Sequence, residues 1–259
     1  MDEFELQLLR MAKELLEKPS LTARIAAKVG TPVEKGLTLL PKGIQSTIHK
    51  ATEKSISVAY HAAAATMEKS DRRPANNFGH KVMVAGTGGL GGFFGPLALM
   101  AELPVSTTLI MRSIMDIAQS EGEDLNNPET KLACLEVFAF GGYSSSDDAA
   151  GSGYLMTRAA LAKTFTDAAK VMVGKTLTNE SAPIIVRLLA SIASRFQLVV
   201  TEKVAAQMMP LIGAVGGAGI NVIFMNHFQD VARGHFIVRR LERKYGVAEV
   251  QRQYLETKI

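Results

Sequence analysis

VMVAGTGGLGGFFGPLALMA, residues 82–101, admits one α/β reading and one all-α reading. Its centre, Gly86-Thr87-Gly88-Gly89-Leu90-Gly91, fits the G-x-G-x-x-G spacing and follows the apolar run Val82-Met83-Val84-Ala85. In a dinucleotide fold such glycines turn the chain tightly and let a pyrophosphate approach the next helix N-terminus. The context argues against that fold. No second strand ending in an acidic residue follows at the required distance, and Pro104 is expected to start another helix there. No Gly-Lys-Ser/Thr is present to form a phosphate loop. The all-α reading is a glycine-faced helical segment. Gly88, Gly91 and Gly95 recur at helical spacing and let a second helix approach to backbone contact.

A candidate second helix lies further on. Residues 204–225, VAAQMMPLIGAVGGAGINVIFM, also lack any charged side chain, and they carry Gly213, Gly217 and Asn221. The two segments are expected to pack together, with Asn221 bonded to a facing carbonyl. Each approaches the ~20 residues that span a bilayer, although proline and clustered glycine make both poor ordinary spanning helices.

Outward from these segments the pattern is helical almost throughout. Residues 1–19 form an amphipathic opening helix with Phe4, Leu8, Leu9, Met11, Leu15 and Leu16 on one stripe, ended by Pro19-Ser20. Further helices are expected over Ile44–Met67, Pro104–Ser120, Pro128–Phe140, Tyr154–Val173, Ala182–Gln207, Phe228–Tyr245 and Val247–Leu255. The small polar tract Gly141 to Gly153 reads as a flexible loop, and Lys69 to Asn77 as another. No linker divides the chain, so residues 1–259 are expected to form a single all-α domain.

Composition agrees with that class. Apolar residues make up 47% of the 259, aromatics only 6%, Trp is absent and Gly numbers 22. That balance favours close helix packing over a sheet. The net charge of +4 favours anionic surfaces weakly. Cys134, the single cysteine, rules out an internal disulfide and suits a reducing cytoplasm as a small buried hydrophobe. The acidic N-terminus lacks the basic and apolar regions of a secretory signal.

Few residues carry recognisable chemistry. Glu102, Arg112 and Asp116 follow the first glycine run; the last two are spaced four apart, which suits an internal ion pair or an ordinary surface pair. His227 and Asp230 share a helical face and could make a base with its orienter, or half a metal site. Glu102, Asp116, His227 and Asp230 are therefore the catalytic candidates of a hydrolase. No metal-ligand motif, cofactor motif or G-x-S-x-G elbow accompanies them. Arg233, Arg239, Arg240, Arg243 and Lys244 form a basic face on the late helix beside Phe228, Phe236, Ile237, Val238 and Leu241. That face could rest on anionic lipid, or be the solvated side of a packed helix. Aromatics do not interleave with it, which excludes a recognised nucleic-acid reader.

The ordered set of short motifs resembles one family. A glycine-rich segment leads into Glu102-Leu103-Pro104-Val105, Arg112-Ser113-Ile114, Ile117-Ala118, Glu121-Gly122-Glu123-Asp124-Leu125 and Asn127-Pro128-Glu129. Pro210-Leu211-Ile212-Gly213, Gly217, Asn221 and the Phe-rich basic helix then follow. Over about residues 20–245 this looks like the EcsC family of bacterial helical proteins, named for a protein encoded beside an ABC transporter. The resemblance implies no agreed activity or catalytic residues. The expectation is a non-enzymatic helical protein on the inner face of the cytoplasmic membrane. It would engage anionic lipid or a membrane protein, an ABC transporter among the possibilities, in an envelope or transport process. The alternatives are a soluble hydrolase or peptidase with an inter-helix pocket, and a protein-binding module using the Gly141 to Gly153 loop.

Overall fold

Strong start and stop signals set the helix boundaries. The computed structural model describes residues 1–17, 21–29, 37–38, 40–65, 96–141, 153–173, 182–208 and 216–259. Among these there are nine helices and no strand: α1 (Glu3–Leu16), α2 (Leu21–Val29), α3 (Ile44–Ala65), α4 (Pro96–Ser120), α5 (Pro128–Phe140), α6 (Gly153–Val173), α7 (Ala182–Gln207), α8 (Gly216–Tyr245) and α9 (Val247–Glu256). Asp2 and Glu5 form a reciprocal capping box on α1. In it the Asp2 carboxylate accepts the Glu5 amide at 2.8 Å. Asn127 caps α5 by accepting the Glu129 amide at 2.9 Å, and Pro128 supplies the preset first φ. Gly246 separates α8 from α9 with φ 85°, a conformation that side-chain-bearing residues resist.

Packing follows from which faces are apolar. In α5 every residue from Thr130 to Phe140 is buried, so this short helix is the centre of the bundle, enclosed by α3, α4, α6, α7 and α8. Cys134 lies there, where burial pushes its thiol pKa well up and leaves it inert. The long helix α8 touches α1, α2, α4, α5, α7 and α9. Phe138, Phe196, Phe224 and Phe228 join α5, α7 and α8 in one aromatic cluster. Neighbouring ring centroids there are 5.1 to 6.1 Å apart. One all-α hydrophobic core runs from Leu9 to Tyr254.

The structure corrects several sequence expectations. Pro104 does not start a helix; it lies inside α4, which Pro96 opens. The missing Pro104 donor removes one helical bond, while the apolar face continues on both sides. The second uncharged stretch is not one segment. Its first residues end α7 and its last ones begin α8, so the basic helix expected from Phe228 is the continuation of a 30-residue helix. The single stripe of α1 divides in two: Leu9, Ala12 and Leu16 are buried, whereas Phe4 is 68% and Met11 40% exposed. Gly88, Gly91, Gly95 and Gly213 lie outside the described residues, as do residues 142–152 of the expected loop, and Gly217 falls in the first turn of α8. Close helix contact through glycine occurs at an unforeseen position, Gly234, where a Cβ would sit 2.7 Å from Leu16 Cγ and 2.9 Å from the Ala12 carbonyl.

Candidate functional site

Two polar clusters interrupt the apolar interior near the amino-terminal half of α8. The first joins three helix ends. Lys203, fully buried near the end of α7, reaches Glu102 Oε1 in the second turn of α4 at 2.6 Å. Its ammonium also lies 4.8 Å from the Phe224 ring centroid, early in α8, close enough for a cation–π contact. Burial pushes the Lys203 pKa down, and the Glu102 carboxylate pulls against that shift. Glu102 thus serves as the counter-ion of a buried cation through Oε1.

The second cluster contains the expected His227–Asp230 pair, but Arg24 of α2 bridges it. Arg24 pairs with Asp230 Oδ2, and its other terminal nitrogen lies 3.4 Å from His227 Nδ1. The opposite ring nitrogen, Nε2, donates to the Gly141 carbonyl at 2.9 Å. Burial first, then the Arg24 charge, push the His227 pKa down to about 4 against the pull of Gly141 and Asp230. The ring is thus neutral at pH 7, and its one lone pair faces a guanidinium, which suits a structural link and not a general base. Gly141 is required by closeness, since a Cβ there would sit 2.8 Å from Nε2.

Glu102 is held by Lys203, whereas His227 and Asp230 share Arg24. Among the described residues no hydrogen bond joins Glu102 to His227 or Asp230. Asp116 is half-buried on α4 with an interaction of its own. No group of three metal-ligating side chains occurs among the described residues. Asn221 is fully buried in α8.

The basic face meets the acids of neighbouring helices. Arg239 reaches Glu123 at 2.8 Å, Arg243 joins the same carboxylate, and Lys244 reaches Glu5 at 2.6 Å. Arg240 meets Glu121 at 2.7 Å as an ion pair without hydrogen-bond geometry. Arg233 alone of the five makes no ion pair among the described residues. The apolar side of this part of α8, with Phe228, Phe236, Ile237 and Leu241, is buried in the core.

Sequence reasoning missed Lys203, Arg24 and a third buried group. Tyr154 Oη and His235 Nδ1 lie 2.9 Å apart, beside the Arg158–Glu242 pair at 2.7 Å. Glu136 of α5 lies buried nearby, its pKa raised to about 7 by burial against the pull of Arg158 and Arg239. Lys203 carried a usable signal. It falls on the stripe of Phe196, Val199, Val200 and Val204, where a charge demands a partner.

Comparison with known proteins gives one result. The sequence model described as the EcsC protein family matches residues 5–241. No curated protein and no solved structure matches the chain.

Proposed function

The chain belongs to the EcsC protein family, and on that premise we propose that it is a non-enzymatic, membrane-associated helical protein. In this reading residues 82–95 and 208–215 of its two uncharged glycine-rich stretches meet the inner face of the cytoplasmic membrane. The supporting observation is the Glu102–Lys203 pair over Phe224. It gathers the start of α4, the end of α7 and the start of α8, which are the ends to which those stretches attach. Residues 82–95 lead into α4, and residues 208–215 connect α7 to α8. A pair of opposite charges holds both junctions together while presenting no net charge to an apolar neighbour. Glycine suits such a place, because helices beside lipid associate through close packing and gain no hydrophobic drive. Association through the basic face of α8 draws less support, since four of its five cations already have acidic partners.

The helix α7 is long and apolar enough to cross a membrane, with mean hydropathy 1.6. Its stripe from Ile185 to Val200 packs inside the bundle, while Val186 and Leu198 on its other side are exposed. The proposal assigns lipid contact to the uncharged stretches that adjoin α4, α7 and α8. The process served is envelope assembly or transport, with a membrane protein such as an ABC transporter as partner. A hydrolase is disfavoured by the structural partners that Glu102, His227 and Asp230 already hold. Cell fractionation tests the reading: the chain should enter the membrane pellet and be only partly released by high salt or alkaline carbonate. A wholly soluble chain indifferent to vesicles would defeat it.

A further inference from the structure

Between α5, α6 and α8 the buried side chains stack in two layers. In the first, the Phe140 ring lies 5.0 Å from Tyr154 and 4.9 Å from His235 by centroid. Glu136, Arg158 and Arg239 each sit four residues from a member of that layer and form the next. Arg158 already binds the Glu242 carboxylate with two hydrogen bonds, of 2.7 and 3.1 Å. Arg239 binds Glu123 with two, of 2.8 and 3.3 Å. Glu136 is thus a third carboxylate beside two arginines that are already matched. It is 5% exposed and makes no hydrogen bond or ion pair among the described residues. A carboxylate enclosed without a donor is costly, and its protonated form costs far less.

Of the helices around Glu136, α6 is the one free to yield. Helix α5 is the centre of the bundle, and α8 is held by α1, α2, α4, α5 and α7. Among the described residues the side chains larger than glycine that α6 buries are Tyr154, Thr157, Leu161 and Ala168. It packs on α5 and α7, and it reaches α8 through the Arg158–Glu242 and Tyr154–His235 contacts. We propose that α6 is a lid seated by a proton: with Glu136 protonated it closes on α5 and α8, and ionisation of Glu136 lifts it so that water reaches the carboxylate. The charges that act on Glu136 are Arg158 of α6 and Arg239 and Glu242 of α8. Tyr154 and His235 stay neutral near pH 7, because burial raises the phenol pKa and lowers that of the imidazole. The other helices packed on α5, namely α3, α4 and α7, bring no further charge to Glu136 among the described residues. Burial holds the Glu136 pKa at about 7 in the closed state, against 4.5 once hydrated. Seating is therefore complete below 4.5, weakens as pH rises through the interval and reaches its full loss above 7.

The test is amide hydrogen exchange on the full-length chain at pH 6 and pH 8, corrected for intrinsic rates. Amides of residues 158–168 should be less protected than those of residues 132–138 in α5, which means that α6 opens by itself. Their protection should fall about tenfold from pH 6 to pH 8, the linkage expected for those two pKa values. Glu136→Gln should hold α6 at one protection factor at both pH values. Titration of the Glu136 carboxyl carbon resonance in the wild-type chain reads the same group without a substitution, with a midpoint near 7 expected. A midpoint near the ordinary 4.5 overturns the proposal. Equal protection of α6 and α5 at both pH values also overturns it, because the acid then weakens the whole fold and not the lid. A pH response of α6 that survives in Glu136→Gln does the same, since another group then drives the opening.

Discussion

The two halves of α8 handle polar groups in opposite ways. Between Gly216 and Gln229 polar side chains are few and enclosed: Asn221 is fully buried, His227 is held by Gly141 and Arg24, and Gln229 bonds Ser113 at 2.8 Å. The Glu102–Lys203 ion pair at that level is itself sealed from water. From Arg233 onward charges are many, and Arg240, Arg243 and Lys244 reach the surface while the acids they meet are largely covered. A charge orphaned inside cannot be rescued by solvent, while one at the surface is resolvated at once. The enclosed half therefore fixes how the helix ends meet, and the open half fastens α1 and the α4–α5 turn through exposed cations on covered carboxylates.

Four substitutions put this contrast at risk. Lys203→Met should have the largest effect, lowering unfolding free energy by about 3–5 kcal/mol because Glu102 is left buried and alone. Adding Glu102→Leu should recover most of the loss in urea denaturation, which a purely steric role for Lys203 does not predict. Next comes Glu136→Gln, facing the open half from inside the core. The folded-state pKa of about 7 exceeds the ordinary 4.5, so ionisation costs stability as pH rises from 4.5 and the full cost is present above 7. The variant should gain up to about 3 kcal/mol at pH 8 and almost nothing at pH 4, read from paired melting curves.

Gly234→Ala should cost about 1–3 kcal/mol, since its methyl would meet the immovable Ala12 carbonyl and force α1 away from α8. The better helix propensity of alanine offsets part of that cost. Smallest of all, Arg240→Ala should change stability by less than about 1 kcal/mol, and less again in high salt. Its side chain is 41% exposed. A loss there comparable to that of Lys203→Met would erase the distinction between the two halves.

The sequence shows the helices well and their associations poorly. Proline, Asn and Gly signals mark α5 and α9 to within a residue or two, because capping is decided locally. Pro104 misleads for the same reason: a local breaker signal is overridden when the apolar face on both sides is buried. The stripe of α1 looks like one face because Leu8 and Leu9 are adjacent, and only docking on Gly234 separates the covered half from the open one. His227 and Asp230 are legible as neighbours. Arg24, which occupies them both, is 203 and 206 residues away in sequence and no periodicity points to it.

Whether the uncharged glycine-rich stretches are where this chain meets lipid can be probed site by site. A polarity-sensitive dye is placed at Leu90→Cys in one variant and at Arg243→Cys in another, with Cys134 left buried, and anionic vesicles carrying a lipid-borne quencher are added. A blue shift and strong quenching are expected at position 90, and neither at position 243. Equal quenching at both sites, or none at position 90, would rule out the glycine-rich stretches as the lipid-facing surface.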